Sequence, residues 1–241
     1  MALPFPARRC CPICGWRGLR FLRSPGTARD RGGCPRCGSR QRHRHLWLWL
    51  ERETPLLSGA ALDVLHVAPE PGVEARLRAA APPLRYRTAE FGPEHGTDLV
   101  LDLQAIDLPD ACLDVILCNH VLEHVPDDAA AFRELRRVLR PGGWAALQVP
   151  INGAATVEEQ PGDDPAHRLE RFGQADHVRI YGRDYLDRLR AAGFTAEPVL
   201  YREQIPEREW RRFGLTYDLQ EEFGLDFDAL REPWEVWRAV A

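Results

Sequence analysis

Along residues 61–150 the spacing of apolar positions switches repeatedly between short continuous runs and helical periodicity. Ala61–Val67 is a short apolar run that predicts a strand, and Glu70–Ala80 reads as a helix closed by Pro82-Pro83. Tyr86–Phe91 predicts a second strand ending at Gly92-Pro93, and Thr97–Leu101 a third. The strongest strand signal is Leu113–Asn119, Leu-Asp-Val-Ile-Leu-Cys-Asn. Asp127 then stands at an N-cap position, with Phe132, Leu135, Val138 and Leu139 on one helical face. Pro141-Gly142-Gly143 stops that helix and leads into a strand at Trp144–Pro150. Further on, Gly182–Gly193 predicts a helix ending on a glycine cap and Phe194–Tyr201 a strand. Glu207–Gly224 reads as helical, and Trp234–Val240 as a final strand. Strand and helix alternating over short connections predict an α/β fold with a mostly parallel sheet covered on both faces.

Residues 10–40 have a different character. They are rich in Cys, Gly, Pro and Arg and lack periodicity, so they bury little core and need a staple to fold. Gln41–Leu57 follows as a helix carrying Trp47, Trp49, Leu46 and Leu50, broken at Ser58-Gly59. The expected organisation is a small module over 1–40, a linking helix over 41–58, and an α/β domain over 59–241 with a helical insertion near 206–228.

Composition adds class and compartment. Of 241 residues, 44% are hydrophobic and 28% charged, the balance of a globular protein. No apolar stretch approaches the ~20 residues of a membrane span, and the arginines near Met1 are not followed by the apolar core of a signal peptide. A cytoplasmic location with no membrane partner is expected, and there cysteines more often bind metal than form disulfides. Every one of the 32 basic residues is arginine. Within residues 1–52, twelve arginines against Asp30 and Glu51 give +10; the whole chain carries −4, so the remainder carries −14. Such a basic module either contacts nucleic acid or docks on its own acidic neighbour.

Cys11-Pro12-Ile13-Cys14-Gly15 recurs as Cys34-Pro35-Arg36-Cys37-Gly38, two C-x2-C pairs separated by 19 residues. Two residues between cysteines let both thiolates reach one ion, and four thiolates complete a tetrahedral shell with no open position. Cys11, Cys14, Cys34 and Cys37 are therefore the expected ligands of a structural Zn2+ in a zinc ribbon. Cys10 is the competing candidate for the first position, but only Cys11 completes the duplication. Cys112 and Cys118 read as core thiols. The run Arg40, Arg42, His43, Arg44, His45 after the second pair is either a phosphate-binding strip or a basic face used in internal pairing.

The stretch Leu113-Asp114-Val115-Ile116-Leu117-Cys118-Asn119-His120-Val121-Leu122-Glu123-His124-Val125 resembles the fourth-strand region of small class I S-adenosylmethionine-dependent methyltransferases, whose usual run is F-D-x-V-x-x-x-x-V-L-x-H. Phe132–Gly143, closing on Leu139-Arg140-Pro141-Gly142-Gly143, resembles that family's following helix and its L-R-P-G-G turn. His177–Asp184 with Ala192-Gly193-Phe194 resembles the helix before strand six. The likeness covers Ala61 to Leu200. It implies a Rossmann-like sheet, mostly parallel with the last strand antiparallel, binding S-adenosylmethionine at the carboxyl ends of its strands.

The resemblance also implies contacts residue by residue. Where the family has an acid and a D-x-G-x-G-x-G loop after the first strand, this chain has His66-Val67-Ala68-Pro69-Glu70-Pro71-Gly72. His66 stands in place of the acid and Gly72 is the remaining glycine, while Ala68 permits close approach and Glu70 offers a carboxylate to the methionine ammonium. Bacterial methyltransferase-like proteins with a C-P-x-C-G ribbon are similar in carrying L-H-V-A-P-E here. Glu90, ending the second strand, matches the ribose-binding carboxylate. Asp102-Leu103 matches the adenine-recognising position, and Asn119 and His120 line the floor beneath the sulfonium.

Methyl transfer is an in-line displacement in which positioning supplies much of the acceleration, and a base is needed only when the acceptor loses a proton. His120, Glu123, His124 and His177 are the candidates, with His120 and His124 first. The leading expectation is methylation of a small-molecule acceptor. Two alternatives stay open: a zinc-ribbon RNA methyltransferase, suited by the basic module, and a non-catalytic binding module with an altered cofactor loop. Sequence does not fix the acceptor or the oligomeric state.

Overall fold

The computed structural model describes residues 9–22, 32–80, 84–93, 96–199, 204–215 and 236–241. In chain order the strands are β1 (Arg9–Cys10), β2 (Arg17–Gly18), β3 (Asp63–Val67), β4 (Arg85–Glu90), β5 (Leu99–Val100), β6 (Leu113–Asn119), β7 (Leu139–Gln148), β8 (Val157–Glu158), β9 (Arg179–Ile180), β10 (Thr195–Val199) and β11 (Val236–Val240). The helices are α1 (Gln41–Glu53), α2 (Pro71–Arg78), α3 (Asp128–Val138), α4 (Pro165–Phe172), α5 (Tyr185–Ala191) and α6 (Glu207–Phe213). Two compact units emerge: residues 1–60, 70–84 and 200–231 form one, and 61–69, 85–199 and 232–241 the other. The expected ribbon over 1–40 and helix over 41–58 thus cluster with α2 and α6.

In the first unit, α1 is buried nearly all round, with Leu46, Trp47, Leu48, Trp49 and Leu50 all inside. Arg44 is buried with them. Its Nη1, Nε and Nη2 donate to the carbonyls of Ser39 (2.5 Å), Phe213 (2.8 Å) and Gly214 (2.9 Å). Its guanidinium also lies 3.9 Å from the centroid of Phe21. One planar fork thus serves three carbonyls, of which Ser39 O also accepts from Cys34 N. Burial lowers the Arg44 pKa to about 10. The basic run is therefore partly internal: Arg44 joins α1 to α6, while Arg40 is exposed.

The second unit is built on a seven-stranded sheet in the order β10-β11-β7-β6-β3-β4-β5. Strands β3 to β7 pair in parallel, and β11 runs antiparallel to both β7 and β10. This is the α/β Rossmann-like arrangement expected, with the late strand inserted as the antiparallel one. Helix α3 forms because Asp127 caps it, accepting from Ala130 N at 2.8 Å, and because Phe132, Leu135 and Val138 share its buried face. Burying each of those large side chains stabilises the unit by about 1.5–3 kcal/mol.

Several boundaries differ from expectation. β7 begins at Leu139 rather than Trp144: Leu139 pairs with Leu113, Trp144 pairs with Val115, and the intervening Pro-Gly-Gly lies in a register shift. The expected stop at Pro141-Gly142-Gly143 is not where the helix ends: it ends at Val138 on an extended Leu139, and the glycines lie inside an irregular strand, where the register shift absorbs the extra residues. β5 is only two residues long, and α5 begins at Tyr185 rather than Gly182. α6 ends at Phe213 on Gly214 in the left-handed conformation; the expected continuation to 224 or 228 lies outside the described residues, as do 81–83, 200–201 and 234–235.

At the amino ends of the strands, Asp63 receives both Arg85 Nε (2.6 Å) and Nη2 (2.8 Å), and Arg140 Nη2 at 2.9 Å. Arg140 Nη1 reaches Asp114 at 2.8 Å, and Asp114 accepts the Asp63 backbone N–H at 2.7 Å. This network ties β3, β4, β6 and β7 together at the end of the sheet away from the candidate ligand positions. Arg85 and then Arg140 lower the Asp63 pKa from 3.8 to about 2.

Candidate metal and cofactor sites

In the first unit the duplicated sequence folds into duplicated geometry. Gly15 N donates to Cys11 O at 2.9 Å and Gly38 N to Cys34 O at 2.8 Å; Cys11 N donates to Trp16 O and Cys34 N to Ser39 O, at 2.8 and 2.9 Å. Both turns need a left-handed residue, at φ 72° for Gly15 and 69° for Gly38, which glycine adopts without steric cost. The sulfurs of Cys11, Cys14, Cys34 and Cys37 all lie within 4.8 Å of one another. Cys11 and Cys37 are 3.7 Å apart, and Cys14 and Cys34 3.5 Å. A tetrahedral Zn2+ with bonds of ~2.3 Å separates its sulfurs by about 3.8 Å. The donor set therefore fits a zinc ion in identity and spacing. Burial raises the Cys14 and Cys34 thiols, whereas at Cys37 the upward push of burial is outweighed by hydrogen bonds from Ser39, Cys14 and Cys11 together, which lower it.

Glu70 and Gly72, expected at the cofactor, belong to this first unit at the start of α2, with Glu70 as the N-cap residue. A Cβ on Gly72 would stand 3.4 Å from Cys37 Sγ and 3.4 Å from Ile13. Its bareness lets α2 approach the cysteine knuckle closely.

In the second unit the strand ends gather the other expected residues. His66, in β3, is fully buried and its Nδ1 meets the Tyr86 hydroxyl at 2.8 Å. Ala68 follows β3 in the left-handed region (φ 47°) and donates to Ala89 O at 2.9 Å. Glu90 closes β4, half-buried. Asp102 accepts from Gln104 N (2.8 Å) and Gln104 Nε2 (3.1 Å), an Asx turn that leads into the buried Leu103. Asn119 ends β6, buried, opposite Gln148 of β7. His120 follows at φ 55° and donates its backbone N–H to Gln148 O at 2.7 Å.

Two non-glycine residues with left-handed backbone, each directly after a parallel strand, mark a place where strain is held by surrounding structure. Gln148 was not singled out by sequence. Its side chain is 1% exposed and its Nε2 has no hydrogen-bond partner, so it has a donor ready for a ligand at this edge. A lone amide inside the apolar run Trp144-Ala145-Ala146-Leu147-Gln148-Val149 was the available signal.

Beyond β6, the turn carrying Glu123 and His124 is held by a second buried arginine. Arg179 donates to the carbonyls of Leu122 (3.0 Å), Val125 and Pro126 (2.8 Å), and to Glu158 at 2.8 Å. Val178 N donates to Glu123 O at 3.0 Å. His177 is thereby brought beside the turn: its ring centroid lies 4.7 Å from that of His124 at an interplanar angle of 80°. His120 Nδ1 lies 3.4 Å from Glu123 Oε1. All four candidates for proton transfer thus occupy one neighbourhood. Burial lowers the His177 pKa below its ordinary value.

Comparison with known proteins agrees with this architecture. Residues 52–147 match the family described as a methyltransferase domain. The chain is 30% identical over 146 residues to a probable S-adenosylmethionine-dependent methyltransferase of Mycolicibacterium smegmatis, spanning 60% of this chain and 48% of that protein. It is 43% identical over 63 residues to the trans-aconitate 2-methyltransferase of an Azoarcus species, spanning 26% of this chain and 21% of that protein. The chain spans less than half the length of these curated relatives. Among solved structures, an S-adenosylmethionine-dependent methyltransferase of Mesorhizobium loti aligns with a TM-score of 0.51 at 17% identity, over 81% of this chain and 97% of that one, a likeness of fold. These matches support kinship with the S-adenosylmethionine-dependent methyltransferases. Among the described residues, no helix is long and apolar enough to cross a membrane.

Proposed function

We propose that this chain transfers a methyl group from S-adenosylmethionine to a small-molecule acceptor, and that Cys11, Cys14, Cys34 and Cys37 hold a structural zinc ion. The reading rests above all on the methyltransferase-domain match over 52–147, which spans β3 to most of β7, the strands whose ends carry Ala68, Glu90, Asn119 and His120. When bound, S-adenosylmethionine supplies an electrophilic methyl group on a sulfonium.

The rest of the work falls to the protein. Glu90, at the end of β4, is suited to accept from two vicinal ribose hydroxyls. Asp102 and the backbone of Leu103 present an acceptor and a donor to an adenine edge. Ala68, with only a methyl side chain, lets backbone come near the methionine portion. Gln148 Nε2 and Asn119 offer amide groups along the floor. His120 is the residue assigned to hold or take a proton from the acceptor.

A small acceptor is favoured over RNA because Arg44, in the middle of the basic run, is spent on internal carbonyls and is unavailable for phosphate. The test is calorimetry of the purified full chain with S-adenosylhomocysteine. Saturable one-to-one binding, weakened at least tenfold by Glu90→Ala, is expected; no heat of binding at millimolar ligand would refute the assignment.

A further inference from the structure

Glu123 and His177 raise a problem that methyl transfer does not answer. The Glu123 carboxylate is 1% exposed, and neither of its oxygens has a hydrogen-bond partner. His177 is 3% exposed, and neither of its ring nitrogens has one. Burying a carboxylate without compensation costs several kcal/mol, and here it lies beside a buried imidazole in the same state. Buried polar groups left open together are completed by ordered water or by a bound ion.

The ligand class follows from the donors. One ligand atom each from Glu123, His124 and His177 lie within 4.8 Å of one another. His124 Nδ1 meets the Asp176 backbone carbonyl at 3.1 Å; donating there leaves the lone pair on Nε2. A ring fixed through one nitrogen by a carbonyl is the usual second support of a metal-ligating histidine. We propose that Glu123, His124 and His177 bind a divalent first-row transition ion, at a site separate from the four cysteines. Two imidazoles and one carboxylate suit Zn2+, Fe2+, Co2+ or Mn2+, whereas Ca2+ and Mg2+ call for more oxygen. Three protein ligands leave positions open, the pattern of a site that also takes water or substrate oxygen. His120, whose Nδ1 is 3.4 Å from Glu123 Oε1, stands at its rim. Metal–ligand bonds of ~2.1 Å put tetrahedral ligands about 3.4 Å apart, so binding requires the cluster to close by no more than about 1.4 Å. The carbonyl clamp from Arg179 holds the turn in reach for that closure.

This inference goes beyond methyl transfer and is tested without it. The full chain is stripped of metal, reloaded with Zn2+, desalted and its zinc counted by mass spectrometry; parallel titrations use Mn2+ followed by electron paramagnetic resonance. The wild type is expected to hold two zinc ions. Glu123→Gln and His177→Gln, both close in volume to the native residues, should each hold one and bind Mn2+ at least tenfold more weakly. Retained thiolate-to-Co2+ charge-transfer absorption in both variants checks that the cysteine module is folded. A single wild-type ion lost in Glu123→Gln but kept in Cys34→Ser would uphold this site and instead remove the cysteine one. A single ion lost only in Cys34→Ser, or two ions retained in both Gln variants, would overturn the proposal.

Discussion

Ala68 donates its backbone N–H to the carbonyl of Ala89 across 2.9 Å, and does so with φ at 47°. The bond pins the loop after β3 to the end of β4, at a position where the resemblance leads one to expect glycine. An alanine there bears about 1 kcal/mol of strain. Ala68→Gly should therefore leave stability unchanged or raise it by less than about 1 kcal/mol, because relief of strain is offset by chain entropy. Ala68→Val should lower it by about 1–2 kcal/mol, since a β-branched side chain disfavours this region, and should abolish S-adenosylhomocysteine binding. Urea unfolding measures the first effect and calorimetry the second. A valine variant as stable and as competent as the parent would contradict both.

Acid should weaken the second unit through Asp63. Its folded pKa of about 2 lies below the ordinary 3.8, so its pairing with Arg85 and Arg140 stabilises the unit above pH ~4 and is lost as pH falls toward 2. After allowance for solvent screening the contribution is about 1 kcal/mol. Asp63→Asn should cost that amount at neutral pH and nearly nothing at pH 2. Denaturant titrations at the two values compare the proteins directly; an equal gap at both would show that Asp63 does not titrate as described.

Removing the cysteine ligands should unfold the first unit selectively. Metal binding to such sites is worth on the order of 10 kcal/mol, far more than the short β1–β2 ladder supplies. Cys34→Ser is expected to release one zinc ion, a strong chelator every bound ion, and each to abolish the cooperative melting that involves α1. If chelator leaves both the zinc count and the melting curve as they were, the four thiols hold no structural ion.

Arg44→Ala should destabilise the protein by about 3 kcal/mol or more, because three carbonyls each lose a hydrogen bond and a buried side chain leaves a hole beside Phe21. Arg40→Ala, at an exposed position, should change stability by less than ~0.5 kcal/mol. Thermal melts of the two variants settle the contrast. Equal melting temperatures would mean that Arg44 is not the internal tie described above.

Much of this molecule is legible in its sequence. The cysteine knuckles are, because identical short motifs impose identical turns. β6 and α3 are, because Leu113–Asn119 is continuously apolar and Asp127 precedes a clear helical stripe. Less legible is anything set by long-range contact. The burial of Arg44 depends on carbonyls at 213 and 214, and no local pattern distinguishes it from Arg40 or Arg42. Gly72 read as the last remnant of a cofactor loop, yet what approaches it is Cys37, distant in sequence. The early start of β7 was hidden because Pro141-Gly142-Gly143 signals a stop, and a register shift leaves no periodic trace. Glu123, His124 and His177 each read as possible bases, but their grouping depends on Arg179 folding one segment onto another.

The pairing of β11 between β7 and β10 has a consequence for the order in which the polypeptide is made. Among the described residues β10 joins the sheet's ladder only through β11, and β11 is translated later. While a ribosome is still short of residue 236, β7 presents an open edge of unpaired backbone groups and β10 has nothing to join. Nascent chains halted in that interval should be recruited by chaperones or self-associate through the β7 edge, a vulnerability that closes when β11 slides in.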